Sequence, residues 1–116
     1  MIEVSQDRFF ELVESAFAAL PDALKDLLDN VVLFVEEHPP SGEPDLLGLY
    51  DGIPLTERDS TYAGVLPDRI TVFRQPTLAM CDSEQQVIDE IGITVAHEIA
   101  HHFGIDDARL HELGYA

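Results

Sequence analysis

Apolar residues recur at helical spacing from Ser5 onward, with Phe9, Leu12, Val13, Ala16, Phe17 and Leu20 on one side and Glu11, Glu14 and Ser15 on the other. This period predicts an amphipathic helix whose stripe faces a core. Pro21 suits a helix start, because its fixed φ is already helical and its missing N–H would have had no partner there. Leu24, Leu27 and Leu28 then give a second short apolar face that ends near Asn30, so a helical hairpin is expected. Residues 31–35 form a β-branched and aromatic run closed by Glu36, Glu37 and Pro39-Pro40, which predicts a central strand buried on both faces. In residues 46–55, Asp51-Gly52 lies between apolar flanks, a hairpin signal because both turn residues tolerate positive φ. Residues 56–67 show no period and read as a loop. Residues 69–74 alternate, with Ile70 and Val72 on one face and Thr71 and Phe73 on the other, as a half-buried strand that stops at Pro76.

The longest periodic segment opens with Ser83 and, three residues on, Gln86, the signature of a capping box, and runs to Phe103. At about 100° per residue, Ile88, Ile91, Val95, Ile99 and Phe103 share a broad apolar arc, while Glu90, Thr94, His97 and His101 share a narrower stripe. Gly104 is placed to end this helix in a left-handed cap, with Ile105 making the accompanying apolar contact. The helix therefore has two working faces.

Composition narrows the function classes. The 116 residues fit one domain, 1–116, and 46% of them are apolar, as a packed core requires. Asp and Glu number 23 against 6 Lys and Arg, a formal charge of −17. No segment supplies the basic patch that phosphate backbones or anionic lipid need, so neither nucleic acid nor membrane is an expected partner. The acidity does suit solubility and a mild attraction for cations. A lone cysteine, Cys81, fits a reducing compartment, and no apolar run approaches the roughly 18 residues of a membrane span, so a cytoplasmic setting is expected.

The chemistry sits on the narrow stripe of the long helix. His97-Glu98-Ile99-Ala100-His101 is H-E-x-x-H, and residues four apart lie one turn above each other, so both imidazoles can converge on one ion. Catalytic zinc usually takes three protein ligands, leaving one position for water. Gly104 lets the chain turn, and Asp107, six residues beyond His101, can return a carboxylate to the same ion. Imidazole and carboxylate donors suit Zn2+. Glu98 is offset by about 100° from His97, which directs it at a metal-activated water rather than at the metal, the position of a general base. Asp107 would also serve as an N-cap for residues 108–113. Asp106 can do the same, and we assign Asp106 as cap and Asp107 as ligand because only Asp107 has the six-residue spacing. His102 reads as a hydrogen-bonded core or supporting histidine, His111 as an alternative ligand, and His38 as a surface residue. Glu90 and Thr94 lie below the ligands, where they either support them or face solvent.

At these residues the sequence resembles the zincin metallopeptidases, specifically the Asp-zincin pattern H-E-x-x-H-x-x-G-x-x-D, filled by His97, Glu98, His101, Gly104 and Asp107. The stretches LLGLYDGIPLTER, LPDRITVFRQP and TVAHEIAHHFGIDDARLHELGY extend the likeness to a bacterial family of minimal zincins over nearly the whole chain. The resemblance implies an α+β fold, a small mixed sheet packed against the metal-bearing helix and the N-terminal helix, and a zinc-dependent peptidase with a peptide or protein substrate. Larger metzincins carry a methionine turn after the third ligand, whereas the methionines here are Met1 and Met80. Only nine residues follow Asp107, with Tyr115 and Arg109 as candidate oxyanion stabilisers. A substrate could lie along a sheet edge such as residues 69–74. The alternatives are a latent or non-catalytic zinc-binding module that meets a protein partner, and, from the spacing H-x-x-x-H-x-x-x-x-x-H with Asp107 in the last place, a metal-dependent endoribonuclease that the net charge opposes.

Overall fold

The computed structural model describes residues 1–28, 31–52 and 68–114, the side chain of Asp107 excepted. The predicted hairpin's second arm and the loop at residues 56–67 lie outside the described residues, as does Asn30.

Helix α1, Gln6–Ala18, begins where the hydroxyl of Ser5 accepts the Arg8 N–H at 3.1 Å. It buries Phe9, Leu12, Val13 and Ala16 of the predicted stripe, while Phe17 is only partly buried and Leu20, also buried, lies beyond the helix end. Pro21 starts helix α2, Asp22–Lys25, which tightens into a 3₁₀ turn at Asp26–Leu28 and buries Leu24. Strands β1, Val31–Glu36, β2, Gly48–Asp51, and β3, Asp68–Phe73, form one sheet in the order β1-β3-β2, with β1 parallel and β2 antiparallel to β3. Helices α3, Arg74–Ala79, α4, Glu84–Phe103, and α5, Asp107–Glu112, complete the described elements. The result is a mixed α+β protein.

Two expectations for the sheet are corrected. The run at residues 31–35 is neither central nor buried on both faces: among the described strands β1 is an edge whose burial alternates, with Val32 41% and Phe34 40% exposed. The central strand is β3, which buries Ile70 and Val72 on one face and Phe73 on the other. A continuous apolar run looks the same whether one or both faces are covered, and only the packing of the helices decides. Here α1 and α4 back the face carrying Ile70 and Val72, where they share one core with Leu33 and Val35. Across the opposite face, the register aligns Phe34, Thr71 and Leu49 in one row and Val32, Arg69 and Asp51 in the next. Arg69 pairs with Asp51 at 3.0 Å and stands over the Phe34 ring at 5.8 Å.

The strand at residues 69–74 does not run to Pro76. It ends at Phe73, and Pro76 lies inside the first turn of α3, where a missing N–H removes no helical hydrogen bond. Arg74 anchors this junction, donating to the Glu37 carboxylate at 2.6 Å and to the Val4 carbonyl.

Candidate metal centre and general base

Helix α4 carries the site because one of its faces is fully committed to the core. Val87, Ile91, Val95 and Ile99, four residues apart, are at most 1% exposed, and Gly92, Ala96 and Ala100 lie beside them. Ile88 is only partly buried and Phe103 is exposed, so the arc that enters the core is rotated towards Val87 from the one the pattern predicts. The Ser83 hydroxyl accepts the Gln86 N–H at 3.2 Å, and the Gln86 side-chain carbonyl accepts the Asp82 N–H at 2.6 Å, one residue earlier than in the usual capping box.

At its other end α4 stops as predicted. Gly104 adopts φ 71°, a left-handed conformation that costs a β-carbon-free residue little, and the Ile105 N–H closes a bond of 2.9 Å to the Ala100 carbonyl. Asp106 then caps α5, its carboxylate accepting the Arg109 N–H at 2.8 Å. Leu110, 1% exposed, ties α5 into the core. Asp106 is therefore the cap, and Asp107 begins α5 one residue later. The Asp107 side chain lies outside the described residues, and among those described no group of three or more His, Cys, Asp or Glu gathers as a metal site.

The imidazoles of His97 and His101 stand 6.5 Å apart between ring centres, at 86° to one another. Two imidazoles that share a tetrahedral zinc at about 2.0–2.1 Å per nitrogen have centres roughly 5 Å apart. The pair is thus about 1.5 Å wider than a shared zinc requires, while its two imidazoles are donors of the kind that suit the ion. His101 is exposed and His97 partly buried, so an ion would be reachable from solvent.

Glu98 is partly buried, and burial pushes its carboxyl above the ordinary carboxylate value; His101, the Tyr50 backbone amide and His97 oppose the rise. Strand register sets which way the Tyr50 amide faces. The Phe73 N–H donates to the Leu47 carbonyl at 2.9 Å, and Leu49 is opposite Thr71, so residues 47 and 49 bond to β3. Alternation along an antiparallel strand then turns the backbone groups of Gly48 and Tyr50 to the outer edge, towards α4. Gly48 makes this approach possible: a β-carbon there would lie 2.5 Å from Thr94 Cγ2 and 4.0 Å from Glu98 Cγ. Thr94 thus packs against β2.

Two further residues join the site without any sequence signal. The Tyr50 hydroxyl donates to Asp68 Oδ2 at 2.7 Å, and Asp68 is 7% exposed. The Tyr50 ring stacks on His102 at 4.0 Å between centres and 20° between planes, and His102 Nε2 lies 3.7 Å from Asp68 Oδ2. His102 is therefore a supporting histidine at the helix surface rather than a core one. Gly52 leaves room for the same carboxylate, since a β-carbon there would lie 2.8 Å from Asp68 Cγ. Tyr50 and Asp68 are 18 residues apart, too far for periodicity or spacing to connect them. His38 is exposed among prolines, His111 is exposed on α5, Arg109 pairs with Glu112 at 3.0 Å, and Tyr115 lies outside the described residues.

A histidine pair and a desolvated glutamate on one helix, beside the outer edge of an antiparallel strand, define a minimal zincin-like α+β protein. The chain belongs to the zincin-like metallopeptidase family, whose sequence pattern matches residues 28–115. It is also similar to the solved structure of a conserved hypothetical protein from Thermo thermophilus, with 25% identity, a TM-score of 0.58, and coverage of 90% of this chain and 99% of that one. No curated protein matches the chain. Among the described residues no helix is long and apolar enough to cross a membrane.

Proposed function

We propose that this protein is a zinc-dependent peptidase in which His97, His101 and Asp107 hold the ion and Glu98 is the general base. The observation that carries the reading is the Glu98 carboxylate, partly buried between α4 and the outer edge of β2, one residue from His97 and three from His101. A bound zinc would polarise water and the scissile carbonyl. Glu98 takes a proton from the attacking water and returns it to the leaving amine. Burial raises the proton affinity of its carboxyl in the metal-free chain, the direction that strengthens a base.

The peptide lies along β2 rather than β3, because β3 is the central strand and its edges are already paired. The edge of β2 away from β3 would take it in the manner of strand addition. With a net charge of −17, the surface favours basic peptides and disfavours nucleic acid. Buried Cys81, whose thiol burial pushes up, suits a reducing compartment, and we infer a cytoplasmic setting.

The test is cleavage of a quenched peptide library by the zinc-loaded protein, with elemental analysis of the same samples. The parent cleaves and carries one zinc, Glu98→Ala retains the zinc but loses cleavage, and Asp107→Ala loses the zinc while Asp106→Ala keeps it. A Glu98→Ala protein that cleaves like its parent overturns the mechanism. A zinc-loaded parent that melts higher with metal but cleaves nothing supports the binding-module reading instead.

A further inference from the structure

Tyr50 meets its surroundings beside Glu98 in three ways. Its backbone amide lies on the outer edge of β2 next to Gly48, whose β-carbon position is 4.0 Å from Glu98 Cγ, its ring stacks on His102 at 4.0 Å, and its hydroxyl donates to Asp68 at 2.7 Å. His102 lies four residues beyond Glu98, hence one turn further along the same side of α4. Asp68 opens the central strand, and its carboxylate is held at 7% exposure by Tyr50 above it and Gly52 beside it. One side chain therefore ties the edge strand to the helix and to the centre of the sheet at once.

The arrangement asks for more than packing. A ring that only filled space at position 50 would need no hydroxyl, and a carboxylate at position 68 is costly to bury unless something holds it. Strand β2 has four residues and, among the described strands, pairs with β3 alone, so its own ladder holds it weakly against α4. Glu98, meanwhile, is a rotamer-rich side chain whose ordering opposes any fixed placement. We infer that Tyr50 is a positioning residue for Glu98, set by a latch to His102 and Asp68, and that it acts through its backbone amide. The latch keeps the outer edge of β2 at the distance at which that amide can orient the carboxylate. The inference rests on the proposed role of Glu98 for its consequence in catalysis, though not for its geometry.

Amide hydrogen exchange followed by NMR on the full metal-free chain separates the two. An outward-facing edge amide exchanges quickly unless it has a partner, so in the parent the amide at position 50 is protected by about tenfold or more relative to its unfolded rate. Glu98→Ala removes that protection, and Glu98→Gln, which keeps a carbonyl acceptor, retains it. Tyr50→Phe weakens it by roughly threefold and Tyr50→Leu abolishes it, while the amides of Ile70 and Val72 in β3 hold theirs. In the zinc-loaded protein, Tyr50→Phe lowers kcat by about tenfold with KM nearly unchanged, as misplacement of a catalytic group does. Equal exchange at position 50 in the parent and in Glu98→Ala overturns the inference, as does full protection in Tyr50→Phe together with an unaltered kcat. If the parent hydrolyses nothing, the peptidase reading fails while the exchange data still decide the latch.

Discussion

The two long faces of α4 have been built to opposite specifications. On the buried face, Val87, Ile91, Val95 and Ile99 are enclosed, and each side chain of this kind stabilises the fold by about 1.5–3 kcal/mol. On the other face, Thr94, His97, Glu98 and His101 line an approach to solvent, and the one carboxylate among them is held in an environment that disfavours its charge. The buried face answers to stability alone, while the site face carries a local cost that packing elsewhere offsets. A helix that must hold reactive groups still is best anchored by residues that take no part in the reaction.

The comparison breaks first, and with the largest effect, at Glu98. Replacing it with alanine is expected to lower peptide hydrolysis by roughly 10²- to 10⁴-fold without lowering the melting temperature, measured by initial rates and calorimetry. A stability loss matching a core deletion would show that the two faces are not divided in this way. Next comes Ile91→Ala on the buried face, expected to destabilise by about 2–5 kcal/mol in urea unfolding while zinc stoichiometry in the folded fraction is unchanged. Asp106→Ala lies between the two faces in its effect. Loss of the cap should cost about 1 kcal/mol in urea unfolding, with the folded protein keeping its zinc.

A smaller effect sharpens the contrast through pH. Burial raises the Glu98 carboxyl above the ordinary value of 4.5, so the folded chain keeps this proton to higher pH than the unfolded chain does. The contribution is fully present below the unfolded value and is lost as pH rises through the folded one. In metal-free protein, Glu98→Gln should therefore melt higher than the parent near neutral pH, by about 1–3 °C, with the gap closing below about pH 4. The smallest effect belongs to the exposed face of the sheet. Phe34→Ser, at a residue 40% exposed, should change stability by no more than about 0.5–1 kcal/mol by chemical denaturation.

Much of this is legible from residue order. Ser83, Gly104 and Asp106 each perform the capping role that their position predicts, and α1 buries most of the predicted stripe. The histidine pair and its glutamate are also legible, since a four-residue interval on a helix puts two side chains on one side wherever the helix lies. The errors cluster in the sheet. Strand 31–35 reads as central and is an edge, the strand at 69–74 reads as an edge and is central, and helix α3 is hidden by a proline that its first turn accommodates. The pattern of the long helix puts Ile88 and Phe103 in the core, but Val87 takes that place.

Sequence alone determined both ends of the long helix α4 and the chemical identity of the candidate site, because both depend on hydrogen bonds and side-chain directions within about four residues. The tertiary structure decided which strand is the edge, that Tyr50 and Asp68 belong beside His102, and that Glu98 loses enough water to raise its proton affinity. Those outcomes depend on segments far apart in the chain meeting across a shared core, and desolvation is a property of what surrounds a residue rather than of the residue itself.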